Sequence, residues 1–288
     1  MTRIAVDTVR AGSPAPDVVH GVVVALTSAP DLEVALVGPV AALRDALGGA
    51  GPALPADRIE LVDAARSVGP DDDPVVVVRG RRDASVRIAV DLLRTGAVDA
   101  MVSAGPATAT VVAARFSLPR VRGLRAPALA AEVALEGGSV TVVDAGAEAH
   151  ATAGTLVRYG ELGAELARRR GTSRPRVAAL APLGTSSRDA RELGTLFEAA
   201  DLGDGSFVGA RSPAGALAGD VDVLVTPGAA GAILVDTVRA LRPADTCHAV
   251  LVGVQGTVAT LTEARPSSVT EALLDVVAIA GRAPTTTP

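Results

Sequence analysis

The residues best placed for chemistry stand just after short apolar runs: Ser103-Ala-Gly105, Asp144-Ala-Gly146, Gly184-Thr-Ser-Ser187, Thr226-Pro-Gly228 and Gly253-Val-Gln-Gly256. Small residues in such turns let backbone N–H groups approach a ligand, and a helix that follows presents the positive end of its dipole to an anion. Phosphate, carboxylate and thioester oxygen are the natural guests. Glycine also punctuates ordinary strand–helix turns, so the recurrence of the pattern, rather than any one turn, argues for a cleft. A second group is cationic. Arg79-Gly-Arg81-Arg82, with Arg87 beyond it, offers bidentate guanidinium forks to a phosphate or an acidic partner. The competing reading is solvated charge that answers Asp71-Asp72-Asp73, itself a surface turn before Pro74. An anion is expected at the turn Ser103–Thr108 within reach of Arg79–Arg82.

Catalytic groups are sparser. His150 follows Asp144 and Glu148 and titrates in the range of a general base, against the plainer reading of an exposed loop histidine. Cys247-His248 does not make a nucleophilic pair, because neighbours in a strand point to opposite faces. No serine sits in a Gly-x-Ser-x-Gly elbow, so a serine hydrolase has no support. All 27 basic residues are arginine, which excludes a Walker phosphate loop and a Schiff-base lysine. A single cysteine, Cys247, rules out an internal disulfide and a cysteine-built metal site, and His20, His150 and His248 are too few for a histidine-rich one. No metal and no cofactor are expected.

The elements that position these residues can be read from periodicity. Nearly continuous Val/Ile/Leu runs, which suit strands covered on both faces, occur at Arg3–Val6, Glu33–Val37, Ile59–Val62, Ala100–Ser103, Val140–Val143, Val177–Leu180, Val221–Val225 and Ala249–Val252. Amphipathic stretches lie between them. Ser85–Thr95 turns Val86, Ile88, Ala89, Leu92 and Leu93 inward and stops at Gly96, and Thr155–Arg170 reads similarly. Ser268-Val-Thr-Glu271 reads as a capping box opening a last helix to about Ala280. This alternation specifies an α/β fold with a largely parallel sheet in three α/β/α layers, taken as a single domain over residues 1–282 with a frayed tail at 283–288.

A chain of 288 residues, 49% hydrophobic with a net charge of −5, can bury a sizeable core and lacks the basic surface of a nucleic-acid binder. Ile4-Ala5-Val6 meets Asp7 at once, so no signal-peptide core is expected. The apolar runs fall short of the roughly 20 residues of a membrane helix. A cytoplasmic protein is the expectation.

Several ordered strings resemble the phosphate acyltransferase (PlsX) family of bacterial phospholipid synthesis. They begin with Ile59–Gly105, in which Arg79-Gly-Arg81-Arg82 precedes Val98-Asp-Ala100 and Val102-Ser-Ala-Gly105 in the family's order and spacing. They continue through Arg115-Phe116, Arg125–Ala130, Asp144–Ala147, Pro175–Val177, Phe207–Gly209, Val221–Val225 and Leu251–Val254, so that the likeness runs from about Ile4 to Ala280. The resemblance implies an isocitrate/isopropylmalate dehydrogenase-like fold and transfer of a fatty acyl group from acyl carrier protein, or another acyl thioester, to inorganic phosphate. On that reading Ser103, Gly105, Thr108, Arg79, Arg81 and Arg82 bind phosphate or the acyl carrier. Gly146, Glu148, Gly184, Thr185, Gly228 and Gly231 wall the cleft, and Asp144 and His150 are the candidate catalytic groups.

The departures from the family fall on polar positions. Its early Asp-Ala-Met-Gly-Gly-Asp reads Asp7-Thr-Val-Arg-Ala-Gly12, and its Asn-Thr-Gly after the Ser-Ala-Gly turn reads Pro106-Ala-Thr108. Its Asp-Leu-Gly-Ala-Asn ends in Glu148, and its Asp-Gly-Phe-x-Gly-Asn reads Pro227-Gly-Ala-Ala-Gly231-Ala232. Its Gly-Glu-Glu and following Lys-Gly read Gly184-Thr-Ser and Asp189-Ala190, and its paired lysines are Arg81 and Arg82. Three readings follow: an acyltransferase of reduced activity, a non-catalytic paralogue that binds an acyl chain, the carrier protein or a family partner, or a different small-molecule transferase using the same cleft. The family's long Leu- and basic-rich helical stretch, linked with dimer contact and membrane association, is missing between Leu241 and Ala249. No stable membrane association and no nucleic-acid partner are therefore expected, and a homodimer is left open.

Overall fold

The computed structural model of the chain describes residues 1–10, 13–14, 16–49, 54–69, 71–147, 151–181, 187–241 and 248–281. Its internal contacts divide it into two compact units. The first comprises Met1–Pro119, Cys247–Ala249 and Val254–Pro288, and the second Arg120–Thr246 and Val250–Gly253.

In chain order the first unit begins with β1 (Thr2–Asp7), a small hairpin of β2 (Val9–Arg10) and β3 (Ser13–Pro14), and α1 (Pro16–Ser28). There follow β4 (Leu32–Gly38), α2 (Val40–Gly48), β5 (Ile59–Asp63), α3 (Pro74–Gly80), α4 (Ser85–Arg94), β6 (Ala100–Ser103) and α5 (Ala107–Ser117). The second unit holds β7 (Ala128–Leu135), β8 (Gly138–Val143), α6 (Ala153–Arg169), β9 (Arg176–Leu180) and α7 (Ser187–Glu198). It continues with β10 (Ser206–Arg211), α8 (Pro213–Ala216), β11 (Val223–Val225) and α9 (Gly228–Leu241). The unit changes within β12 (His248–Val252), after which β13 (Thr257–Leu261) and α10 (Pro266–Gly281) complete the first unit.

In the first unit the strand order is β13-β6-β1-β4-β5, every pair parallel. From β1 the chain steps outward through α1 and α2 to β5, then returns through α4 to β6 on the other side of β1. Right-handed crossovers taken in opposite directions place their helices on opposite faces, giving this unit its three layers. The reversal makes the carboxyl ends of β1 and β6 a topological switch point, where open α/β sheets hold ligands. Register sets Asp7 level with Ser103, and Ser103 level with Thr260. The core is aliphatic, with Ile4, Leu26, Leu36, Met101 and Leu273 fully buried.

In the second unit β9, β11 and β8 are parallel, β10 pairs with β9, and β7 runs antiparallel to β8. The sheet is therefore largely parallel, as the sequence implies. All eight expected strands form. Apart from the small hairpin, β7, β10 and β13 lie outside the expected set.

Two local results follow from capping. Val75–Val78 would suit a strand, yet α3 is helical because Asp73 Oδ1 accepts from the N–H of Val75 (2.8 Å) and Val76 (3.3 Å), with Pro74 at the first helical position. The expected capping box at Ser268–Glu271 is corrected: α10 starts two residues earlier, at Pro266, and Ser268 lies fully buried inside the first turn. Proline's fixed φ pre-organises that start. Among the described residues no helix is long and apolar enough to cross a membrane.

Candidate functional site

At the switch point of the first unit, Asp7 ends β1 with a side chain that is 1% exposed. The Ser103 hydroxyl, at the end of β6, donates to Asp7 Oδ2 at 2.8 Å, and the Val9 N–H donates to Asp7 Oδ1 at 3.2 Å. Ser85, the first residue of α4, adds another side-chain hydrogen bond. Burial pushes the Asp7 carboxyl above the usual carboxylate range, against the opposing pull of Ser103, Ser85 and the Val9 N–H. The Gly105 N–H in turn donates to Ser103 Oγ at 3.2 Å. A Cβ on Gly105 would stand 3.2 Å from Asp7 Oδ2 and 3.3 Å from Ser103 Oγ, so a side chain there would crowd both partners. The turn is thus pinned from below by a buried carboxyl and a hydroxyl, and it delivers the chain into α5.

Pro106 caps α5 without side-chain help, its carbonyl accepting from the N–H groups of Ala109 and Thr110. The first-turn N–H groups of Ala107 and Thr108 have no acceptor within the helix and mark its positive end. Gly105, Pro106 and Ala107 line a cavity of about 430 Å³ together with Arg10, Val68, Leu261 and Thr262. Its walls are mostly apolar. Among the described lining residues the charged one is Arg10, whose guanidinium lies 3.5 Å from the carbonyl oxygens of both Ala104 and Thr262. Hydrogen bonds that long are weak, so an anion could draw the guanidinium from them at small cost. An apolar wall, one guanidinium and a helix N-terminus make a site suited to an anion joined to a hydrocarbon.

The expected arginines are elsewhere. The Arg79 guanidinium stacks over Phe116 at 5.6 Å from the ring centroid. Arg82 lines a separate surface depression with Arg87, Asp91, Arg94, Phe116 and Ser117. Phe116 belongs to the last turn of α5, nine residues beyond Ala107, which at the helical rise is about 14 Å. The structure brings Ser103, Gly105 and the exposed Thr108 together, and sets Arg79 and Arg82 at the opposite end of the same helix. Arg81 is exposed at the C-terminal cap of α3. Asp7 and Arg10 were not among the expected site residues. Both stand in the segment Asp7–Gly12 that matches a polar motif of the family, and Asp7 also ends the first strand, so sequence signals for them existed.

In the second unit Asp144 is fully buried after β8. Its Oδ1 accepts from the Ala147 N–H at 2.7 Å, and its carbonyl accepts from the Thr226 hydroxyl at 2.8 Å. Gly231, in the first turn of α9, packs on this point: an added Cβ would fall 2.0 Å from the Asp144 carbonyl oxygen and 2.2 Å from Thr226 Oγ1. Gly228 is buried where α9 begins, and Gly146 sits in the left-handed region, with φ of 109°. Asp144, Gly146, Thr226, Gly228 and Gly231 therefore form one local arrangement. Glu148, His150, Gly184 and Thr185 lie outside the described residues.

His248 is buried at the start of β12, with Nε2 2.9 Å from Asp275 Oδ2 on α10.

The buried carboxyl makes stability depend on pH. With its pKa raised by folding, Asp7 binds more protons in the native than in the unfolded state, so its contribution to stability falls as pH climbs from its ordinary value through the raised one. Asp7→Asn removes that loss. Its stability relative to wild type should improve between about pH 4 and about pH 8. Thermal denaturation at both values is the check, and a variant that loses ground at the higher pH would contradict the raised pKa.

The fold belongs to a class shared by acyl-transferring and dehydrogenase proteins. A phosphotransacetylase from Streptococcus pyogenes superposes with a TM-score of 0.72 at 17% identity, covering 98% of this chain and 94% of its own. A branched-chain phosphotransacylase from Enterococcus faecalis V583 gives a TM-score of 0.69 at 18% identity over 97% and 99% of the two chains. A 4-hydroxythreonine-4-phosphate dehydrogenase from Burkholderia phymatum gives 0.58 at 14% identity over 97% and 98%. At such identities the likeness concerns the fold.

Sequence relatives are more specific. The family model described as "Fatty acid synthesis protein" matches residues 2–270, taking in both units. A phosphate acyltransferase from Pseudomonas putida F1 is 32% identical over 242 residues, which is 83% of this chain and 71% of that protein. One from Brevibacillus brevis is 35% identical over 243 residues, or 82% and 70% of the two chains. The chain belongs to the phosphate acyltransferase family of fatty acid synthesis proteins.

Proposed function

We propose that this protein transfers an acyl group from the thioester of acyl carrier protein to inorganic phosphate, giving an acyl phosphate and a free thiol, and that the turn Ser103–Thr108 holds the phosphate. The observation that carries this reading is the cavity in which Arg10 and the first turn of α5 face the mostly apolar wall of its described residues. Family membership supports acyl transfer to phosphate as the reaction class. A phosphate oxygen attacks the acyl carbon, the carbon–sulfur bond breaks, and the thiolate leaves to be protonated. Arg10 and the N–H groups of Ala107 and Thr108 hold the dianion and its charge through the transition state. Val68 and Leu261 shield the reacting carbonyl from water. Gly105, pinned over Asp7 and Ser103, keeps the N–H groups aimed, so the site is organised before phosphate arrives.

Turnover falls below that of a relative with the family's full polar set, since Pro106 removes a backbone donor where the family has asparagine. The chain acts in the cytoplasm, without a bound cofactor or metal. The test is incubation with acyl-loaded carrier protein and phosphate, followed by mass spectrometry. Acyl phosphate that depends on both substrates supports the reading. Tight binding of the acyl carrier without product would favour the non-catalytic paralogue instead.

A further inference from the structure

The arginines that the structure removes from the phosphate turn still need an explanation, and their setting gives one. In the first unit, α3, α4 and the end of α5 form a face that carries Arg79, Arg82, Arg87 and Arg94. The carboxylate in the depression they surround is Asp91, which pairs with Arg94 at 2.9 Å and lies 3.9 Å from Arg87. Arg79, Arg81 and Arg82 make no ion pair among the described residues, although the whole chain carries a net charge of −5. The depression measures about 390 Å³. Beside it Phe116 is 54% exposed, with Arg79 lying over its ring, and Val76 on α3 is 66% exposed one turn before Arg79. Large apolar side chains in the open, framed by unpaired guanidinium groups, are what an acidic amphipathic helix recognises: its apolar ridge covers the ring and the valine while its carboxylates meet the arginine forks.

We propose that this α3–α5 face is the docking surface for the acidic carrier protein that brings the acyl thioester, an inference that rests on the acyl-transfer reading above. The separation of the two sites supports it. The basic face and the cavity at Ala107 stand at opposite ends of α5, about 14 Å apart by helical rise. A thioester held directly at the carrier's surface could not react at that distance. One carried on a long flexible arm can reach from the docking face to the cavity. The carrier is thus held by Arg79 and Arg82, and the thioester is received near Gly105 and Arg10.

The test pairs a binding measurement with two substrates. Fluorescence anisotropy of a labelled apo acyl carrier protein should show binding to the wild-type protein that weakens with salt. The Arg79→Glu/Arg82→Glu double variant should bind at least about tenfold more weakly, and the milder Arg79→Gln/Arg82→Gln variant should fall between them. With acyl-loaded carrier as substrate, kcat/KM of the Glu variant should drop by a similar factor, whereas with acyl-pantetheine, which has no protein surface, it should stay within about twofold. Thermal denaturation of each variant confirms that it is folded. Equal carrier binding by wild type and the Glu variant would overturn the proposal. So would loss of binding to anionic phospholipid vesicles in place of the carrier, which would mark the face as a membrane contact. Arginine-dependent carrier binding without acyl phosphate from either thioester would leave the docking face standing and defeat the acyl-transfer reading.

Discussion

Gly231→Ala is expected to destabilise the protein by roughly 3 kcal/mol or more. The added Cβ would sit 2.0 Å from the Asp144 carbonyl oxygen and 2.2 Å from Thr226 Oγ1. Neither atom can step aside cheaply. Asp144 is fully buried and tied through its side chain to the Ala147 N–H, and the Thr226 hydroxyl donates to the carbonyl that the methyl would strike. Relief requires α9 to lift from the end of β8, which breaks that hydrogen bond and opens the core beneath it. The control is Gly194→Ala in α7, where an added Cβ meets nothing within 4 Å. It should be neutral or gain up to about 1 kcal/mol from helix propensity. Chemical denaturation of both variants is the check. A Gly231→Ala protein as stable as wild type would show that α9 does not press on Asp144 in solution.

Arg10→Ala should lower kcat/KM for phosphate by about 10- to 100-fold, the loss expected when a charge-assisted hydrogen bond to an anion is removed. The guanidinium is the charged group among the described residues lining the cavity at Gly105–Ala107, and its existing bonds to the Ala104 and Thr262 carbonyls are long, at 3.5 Å each. Its removal should therefore cost little stability, which separates a binding role from a structural one. Arg10→Lys should recover only part of the loss, because an ammonium cannot form the two-pronged contact. Steady-state kinetics with phosphate as the varied substrate reads the effect. Unchanged kcat/KM in Arg10→Ala would remove this side chain from the phosphate site.

The framework was legible where the chain advertises burial. Runs such as Ile4–Val6 and Val34–Val37 are apolar throughout because helices cover both faces of their sheet, and those strands form as expected. β7 was not, because Ala128-Leu-Ala-Ala-Glu-Val-Ala-Leu135 is alanine-rich and takes its strand identity from antiparallel pairing with β8. β13 is only five residues long and carries two threonines, so its burial comes from neighbours rather than from its own pattern.

The site divides in the same way. Ser103 and Gly105 could be found because a strand end, a small residue and a helix start adjoin in sequence. Arg10 stands in the Asp7–Gly12 string that matches a family motif, but its place in the cavity was not legible there, since a short hairpin brings it to residue 262 across 252 positions of chain. The misplacement of Arg79 and Arg82 has a similar origin. Sequence spacing tells that α3 precedes α5, but only packing, with Arg79 over Phe116, decides which end of α5 receives it.

The most direct test of acyl transfer to phosphate uses phosphate labelled with ¹⁸O at all four oxygens, presented to the wild-type protein with unlabelled acyl carrier thioester. Attack by a phosphate oxygen on the acyl carbon places all four heavy oxygens in the acyl phosphate, with release of one thiol for each product molecule, and the product should diminish in Arg10→Ala. Free fatty acid without labelled acyl phosphate, or no consumption of the thioester at all, would contradict the proposed reaction.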